Sequence, residues 1–468
     1  MKQNIVLILL ISIFSNAWSQ TQTNDLNKLS LENFLSLVTL YHPVSKQADL
    51  ITEMAKANKL SARGGFDPTI STSLDNKFFS DKNYWFLLDS KLEIPTWYGI
   101  KLQAGYQYWQ GDYFDVHERT PDIGLPYAGV SVSLGKGLFM DDRMAALKQA
   151  KIYTQIADLE KQLMINDLYF EAIQAYLDWT FKYFQYSVMK NATNLAYDRF
   201  KSTRIQFLLG DKPAIDTLEM YTLYQSRLIG LVDANNQFKN SQLNLSNFLW
   251  FENNTPIQLT DSIVPNLNDS LHMFNLFNTD SLQSLIQELS GQNPIISQLQ
   301  LKQKQLGIEK TLKVNKLLPQ LDVSYNFLYN ETSNIYLTNN YKLGVQFKFP
   351  IFARKEIGDL RMTKFKIQDN LFKISYKNNE LNNKINSYFN DYETAREQLN
   401  IYKSALINYK SLLDAENIKF QIGEGTVFMV NARETKYLES IIKVKEMETK
   451  VVKSLFAIYW SAGVLSLQ

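Results

Sequence analysis

His42, His117 and His272 are the only imidazoles in the chain, and they stand far apart in sequence. Histidine metal sites draw their ligands from short, fixed spacings, so these three predict no metal centre. His42 precedes Pro43 and is read as a helix cap or an exposed side chain. Asp141-Asp142 presents two neighbouring carboxylates that could be imagined as an acid/base pair. At the start of a helical pattern their ordinary role is to cap the helix and face the positive end of its dipole. Gly135-Lys136-Gly137 lacks the length and the Ser or Thr of a phosphate loop and reads as a bend between a strand and a helix. There is no Cys, which excludes disulfides, thiolate metal sites, cysteine nucleophiles and a lipidated N-terminal cysteine. No catalytic residue, metal or cofactor is expected, and the chain is read as not an enzyme.

A different chemistry lies in alternation. From Leu317 to Phe352 the chain reads LLPQLDVSYNFLYNETSNIYLTNNYKLGVQFKFPIF, two alternating patterns joined by a polar turn. A period of two places one face in an apolar medium and the other in a polar one. A lone hairpin is not stable in water, so this one must join a larger sheet. Its apolar face then meets either the core of a soluble β-sandwich or lipid. Two features favour lipid: the strands are too few for a sandwich, and segments of about ten residues match the span of a tilted barrel strand. Val323, Tyr325, Phe327, Tyr329, Val345, Phe347 and Phe349 are accordingly expected to face lipid. Asp322, Ser324, Asn326, Gln346 and Lys348 are expected to line water.

The N-terminus fits export. Lys2, the apolar run Ile5–Ile13 and Ala17-Trp18-Ser19 predict a secretory signal peptide over residues 1–19, cut before Gln20. Beyond it no run of eighteen apolar residues occurs, so a membrane-spanning helix is not expected. A closed β-barrel is the remaining way to satisfy every backbone group in a bilayer. The net charge of +2, from 49 basic and 47 acidic residues, gives no sign of nucleic acid as a partner. Aromatic residues at 13% suit the girdles of a membrane barrel, with a large aromatic core as the plainer alternative.

The elements that must carry these strands form an internal repeat. Ser30 and Ser281, Pro43 and Pro294, and Pro68 and Pro319 each lie 251 positions apart. Each half predicts a short helix, a helix restarting at Pro with His42 or Asn293 before it, then a strand entered from Pro (Thr69–Leu74; Gln320–Tyr329). Phe139 and Phe352, and Gly210 and Gly423, lie 213 positions apart. The first half therefore holds 38 more residues between its strands. They include an alternation at Ile100, Leu102, Ala104, Tyr106 and Tyr108, and signify either an added hairpin or longer strands with a longer loop.

Helical patterns without Pro follow, from Asp141 to about Arg204 and from Arg354 to about Phe420. Some 65 residues amount to roughly 100 Å of helix, which implies a coiled coil or a helical tunnel. Gly-bearing turns, FLLGDKPAID and FQIGEGTVFMV, then lead into return helices, Ala214 to about Trp250 and Val427 to about Ala462. The expected organisation is a first repeat over residues 20–250 (strands about 69–135, helical hairpin 139–250), a linker over 251–280 with one short strand, and a second repeat over 281–468 (strands about 320–350, helical hairpin 353–462). The fold class is mainly α with transmembrane β-barrel strands.

With this order of elements, Asn293-Pro294, Leu318-Pro319-Gln320-Leu321, Phe349-Pro350-Ile351-Phe352 and the Gly-bearing tip turns, the chain from Ser30 to its end resembles the TolC-like outer-membrane efflux proteins. The resemblance implies a homotrimer in which strands of three chains close one barrel in the bacterial outer membrane, while the helices form a periplasmic tunnel. Four strands per chain would give twelve, a count the 38 extra residues put in question. It implies an outer-membrane channel of a tripartite efflux or type I secretion system, with a periplasmic adaptor protein and an inner-membrane transporter as partners. Adaptor contact is then expected at Gly210, Asp211, Asp216, Gly423, Gly425 and Thr426. The family commonly places an acidic residue six positions after the tip Gly; Asp216 keeps it, whereas Met429 replaces it in the second half. The alternative from another class is an exported coiled-coil spacer with a small β-head.

Overall fold

The computed structural model describes residues 27–97, 99–113, 115, 117–267, 293–329 and 340–465. The expected signal peptide, His272 and the helix expected to begin at Ser281 lie outside the described residues, as does most of the turn between the two strands of the second half. In chain order the elements are β1 (Lys28–Leu29), α1 (Leu31–Tyr41), α2 (Pro43–Gly64), β2 (Thr69–Phe79), β3 (Lys82–Pro95), β4 (Ile100–Gln110), β5 (Leu125–Gly135), α3 (Asp142–Leu208) and α4 (Ala214–Ser246). There follow β6 (Trp250–Phe251), β7 (Thr255–Pro256), β8 (Val264–Pro265), α5 (Pro294–Asn315), β9 (Gln320–Leu328), β10 (Tyr341–Lys348), α6 (Arg354–Gln421) and α7 (Val427–Ala462). Two compact units result, each drawing on both halves of the chain. One comprises Pro43–Phe170, Asn278–Asp391 and Ser454–Gln468; the other Met1–His42, Glu171–Phe277 and Tyr392–Lys453. We call them the sheet unit and the tip unit.

The sheet unit holds a six-stranded antiparallel sheet in the order β10-β9-β5-β4-β3-β2. The 38 additional residues therefore form an added hairpin, since the first half supplies four strands and the second two. β2 runs to Phe79, five residues past the expected end, and slips register between Lys77 and Phe78. β9 stops at Leu328 and β10 at Lys348. Gly135 and Gly137 turn out of β5 with φ of +86° and +96°, which is the strand-to-helix bend expected there. Asp141 then caps α3, its Oδ1 accepting from Met144 N at 2.7 Å while its other oxygen holds Arg143 at 2.7 Å.

Helix restart at Asn293-Pro294 works by capping. Asn293 Oδ1 accepts from Ile295 N at 2.9 Å, and its amide donates to the Ser461 carbonyl at 3.1 Å. Pro294 fills a helical position whose N–H would be unpaired in any case. The end of α7 is clasped in the same unit. Trp460 stacks on Phe170 with 4.3 Å between centroids, donates to Asp167 at 2.6 Å, and carries the Lys384 ammonium 3.8 Å above its ring. Burial of the Lys384 ammonium there lowers its pKa. Asn166 Nδ2 donates to Trp460 O at 3.0 Å, and Asn166 Oδ1 accepts from Leu465 N at 2.9 Å, so backbone groups past the helix end are satisfied.

In the tip unit β1 pairs in parallel with β8, and β6 pairs with β7. Phe34, Tyr176 and Trp179 form a buried aromatic core, with Tyr176 Oη donating to Leu29 O at 2.8 Å. α4 ends at Ser246, short of the expected Trp250. Trp250 instead donates from Nε1 to Asn247 O at 2.8 Å and pairs with Pro256 in a strand.

Candidate functional site

Two places carry chemistry: the faces of the sheet, and the turns where the long helices reverse. In the sheet, directly opposed residues lie on one face. Val323 faces Val345 on one side and Val132 on the other, Tyr325 lies between Leu343 and Val130, and Phe347 opposes Leu321. The register thus gathers the predicted apolar residues Val323, Tyr325, Phe327, Val345 and Phe347 on a single face and extends it through β4, β3 and β2 by Leu102, Leu92 and Ile70. Tyr329 and Phe349 fall just beyond the strand ends. Among the described residues the face is most open on its edge strands, where Ile70 is 80% exposed, Val345 63% and Phe347 68%, with Val323, Phe327 and Leu92 half-buried between them. A sandwich would need a second sheet against it, and the other sheets among the described residues are two-stranded pairs of dipeptides.

The opposite face holds the predicted polar set Asp322, Ser324, Asn326, Gln346 and Lys348, and is stitched across strands. Gln103 Nε2 donates to Asn326 Oδ1 at 2.5 Å, and Ser133 Oγ to Asp322 Oδ1 at 2.6 Å. Gln107 Nε2 donates to Asp89 at 2.9 Å. Glu93 sits between Lys91 at 2.8 Å and Lys101 at 2.7 Å. The sequence reading missed this ion triplet. Its one local signal is Lys91 and Glu93 two residues apart, which places both on the same side of a strand.

In the tip unit, α3 and α6 end alike. Gly210 N donates to Phe207 O at 3.0 Å and Asp211 N to Gln206 O at 2.9 Å; Gly423 N donates to Phe420 O at 3.2 Å and Glu424 N to Lys419 O at 2.9 Å. These paired bonds make the Schellman ending, which needs a left-handed residue. Gly210 at φ +87° and Gly423 at φ +84° supply it. The two turns meet through Lys212, whose ammonium lies 4.7 Å from the centre of the Phe420 ring. Asp216 stays within 3.9 Å of Lys212. In the other turn, Thr426 Oγ1 accepts from Met429 N at 3.3 Å, and Gly425 N donates to Lys419 O at 3.1 Å. A cleft of about 290 Å³ opens beside the turns, lined among others by Arg199, Gln206, Lys212, Met220, Phe420 and Val427.

Behind the turns, Arg199 Nη1 reaches Glu434 Oε2 at 2.6 Å, joining α3 to α7, and Arg227 Nη2 donates to Thr435 Oγ1 at 2.8 Å. Burial lowers the pKa of the Arg227 guanidinium and Arg199 adds to that, while Glu434 and Glu439 oppose it. Sequence reasoning did not find this cluster. His42 stands at the expected helix junction, but it closes the preceding helix instead of capping the one that starts at Pro43, and it is not exposed. It ends α1, is 8% exposed, and packs 6.0 Å from Phe248 and 6.1 Å from Trp250. Among the described residues no cluster of His, Cys, Asp or Glu could hold a metal ion, and no helix is long and apolar enough to cross a membrane.

No family model and no curated protein matches the chain. Solved structures do. The CmeC outer membrane channel of Campylobacter jejuni is 12% identical with a TM-score of 0.63, the match covering 92% of this chain and 85% of that one. The outer membrane protein VceC of Vibrio cholerae is 12% identical at a TM-score of 0.63, with 92% and 96% covered. The open state of the Neisseria gonorrhoeae MtrE outer membrane channel is 11% identical at 0.63, with 92% and 88% covered. The chain has the fold of these TolC-like channels.

Proposed function

We propose that the chain is the outer-membrane channel of a tripartite efflux or type I secretion system. The observation that carries this is the sheet: an apolar face, exposed at Ile70, Val345 and Phe347, backed by a hydrogen-bonded polar face, on strands that lead into helices of 67 and 68 residues. A face of that kind belongs in lipid, and the polar network behind it belongs on water. The sheet of one chain is open, ending at β2 and β10, and a homotrimer closes it into a barrel in the outer membrane.

Transport is passive. Solute moves down a polar lumen, and the helical part stands in the periplasm. The turns at Gly210, Asp211 and Asp216 and at Gly423, Gly425 and Thr426 dock a periplasmic adaptor, which couples the duct to an inner-membrane transporter. No step of this requires bond chemistry, so the chain is not an enzyme. The fold shared with the CmeC and MtrE channels supports this reading.

The test is behaviour in detergent and bilayer. The purified chain is expected to run as an SDS-resistant, heat-modifiable trimer and to give discrete conductance steps in a planar bilayer. Recovery solely as a soluble periplasmic species would overturn the channel and favour a coiled-coil spacer.

A further inference from the structure

Among the described residues the sheet ends in two unpaired edge strands of matched character. All eleven residues of β2 are exposed, as are all of β10 except Gly344. A long uncovered edge presents a row of unpaired backbone groups, which a membrane interior does not tolerate. Because six antiparallel strands make an even number, β2 and β10 run in opposite directions. A copy of the chain set beside another therefore continues the sheet with the same antiparallel pairing. The contact is head-to-tail, and it ends only when the ring closes.

The register of that seam can be traced across the sheet. Starting at the first residue of β2, Thr69 opposes Glu93, Glu93 opposes Gln103, Gln103 opposes Gly129, Gly129 opposes Asn326, and Asn326 opposes Lys342. Lys342 lies six residues before the end of β10 at Lys348. If the strand ends are flush around the ring, Lys348 meets the partner subunit's Thr69 and Lys342 meets the partner subunit's Asp75. The stagger is then six residues for every six strands. A barrel whose shear equals its strand number tilts its strands by about 36°, inside the range barrels adopt.

Side-chain chemistry selects the same register. Faces must match, so only even displacements are open. In the flush register Asp75 opposes Lys342, Leu74 opposes Leu343 and Ile70 opposes Phe347. Two residues further along, Lys342 would oppose Lys77, setting like charges directly across strands. Two residues the other way it would oppose Ser73, and the ion pair is lost.

We infer that the subunits join by β2–β10 pairing in the flush register, with Asp75 opposite Lys342, and that three copies close an eighteen-stranded barrel. This rests on the channel reading and adds to it the seam and the width. At a strand spacing of about 4.8 Å, eighteen strands give a backbone diameter of about 34 Å against about 23 Å for twelve. The added hairpin β3–β4 thus widens the lumen by half, and its residues Lys91, Glu93 and Lys101 become part of the wall.

The chain has no cysteine of its own, so introduced pairs report the seam alone. Full-length Asp75→Cys/Lys342→Cys, Ser73→Cys/Lys342→Cys and Lys77→Cys/Lys342→Cys are oxidised in outer membranes. The first is expected to form reducible dimers and trimers several-fold more efficiently than the other two. Stronger linkage in either of the others overturns the register, and no linkage in any of them, while the unsubstituted chain forms heat-modifiable trimers, overturns the seam and leaves the channel standing. If the unsubstituted chain forms no membrane oligomer, the channel reading fails and the seam with it. Averaged projections of the detergent-solubilised trimer read the width independently: a barrel near twelve-strand size overturns the eighteen-strand closure.

Discussion

Arg199 and Glu434 tie α3 to α7 in the tip unit, at 2.6 Å between Nη1 and Oε2. The Glu434 side chain is only 12% exposed, and its carboxylate offsets two neighbouring guanidiniums, those of Arg199 and Arg227. Glu434→Gln keeps the shape and removes the charge, leaving the two cations to repel. A loss of about 1–3 kcal/mol is expected for a part-buried group deprived of its charged partner. It should show as faster protease cleavage within the tip unit and as greater solute leak through the channel. An unchanged cleavage rate would mean that the link does not hold these helices together.

His42 gives a pH dependence with a defined sign. Burial against Phe248 and Trp250 lowers its pKa below the ordinary 6.5. The folded state therefore prefers the neutral ring, while the unfolded chain takes up a proton more readily. The stability tied to this group is fully present above pH 6.5 and is lost as pH falls below it toward the folded-state value. His42→Phe, which retains an aromatic ring among the others, should flatten that part of the stability profile. Thermal melts of the wild-type and variant proteins between pH 5 and pH 8 provide the comparison, and parallel curves would exclude His42 as the source.

At the helix tips the argument is conformational. Gly423 holds φ +84° with nothing within 4 Å of where a Cβ would stand, so Gly423→Ala meets no clash and bears only the left-handed penalty of about 1–2 kcal/mol. Gly423→Pro cannot adopt that φ at all. The proline variant is expected to lose efflux while trimers persist in the membrane, with the alanine variant in between. Efflux assays paired with unboiled gels separate the two effects, and disappearance of the barrel itself from the proline variant would refute the tip assignment.

Much of this molecule is visible along the chain because its signals are local. Glycines that reverse helices, the Asn293 cap and strict alternation in β9 and β10 each act within a few residues. β3 escaped because Trp85 and Leu87 put large apolar groups on the polar face beside Phe86 and Leu88 on the other, which erases the period of two. β5 was legible only by its end at the Gly135 bend, and its start at Leu125 was not, because Pro126, Ala128 and Gly129 blur the alternation there. The Arg199–Glu434 link could not be seen because its partners are 235 positions apart. The burial of His42 comes from Phe248 and Trp250, residues that the repeat pattern assigned to a helix and its end.

The assignment of the sheet faces is decided by a pair of neighbouring substitutions. Val345 and Gln346 are adjacent in β10, opposite Val323 and Asp322 respectively, so their side chains leave the sheet on opposite sides. Val345→Lys would put an ammonium into hydrocarbon, at about 2–4 kcal/mol near the midplane and less toward either interface. Gln346→Lys would add the same charge to a face that already carries Lys342 and Lys348 and is solvated in the lumen. The expected result is a marked drop in heat-modifiable trimer for Val345→Lys and near-normal assembly for Gln346→Lys, the latter with a shift in ion selectivity in planar bilayers. Equal assembly of both would mean that the apolar face is not in lipid, because only a low-dielectric surrounding makes one buried ammonium more costly than the other.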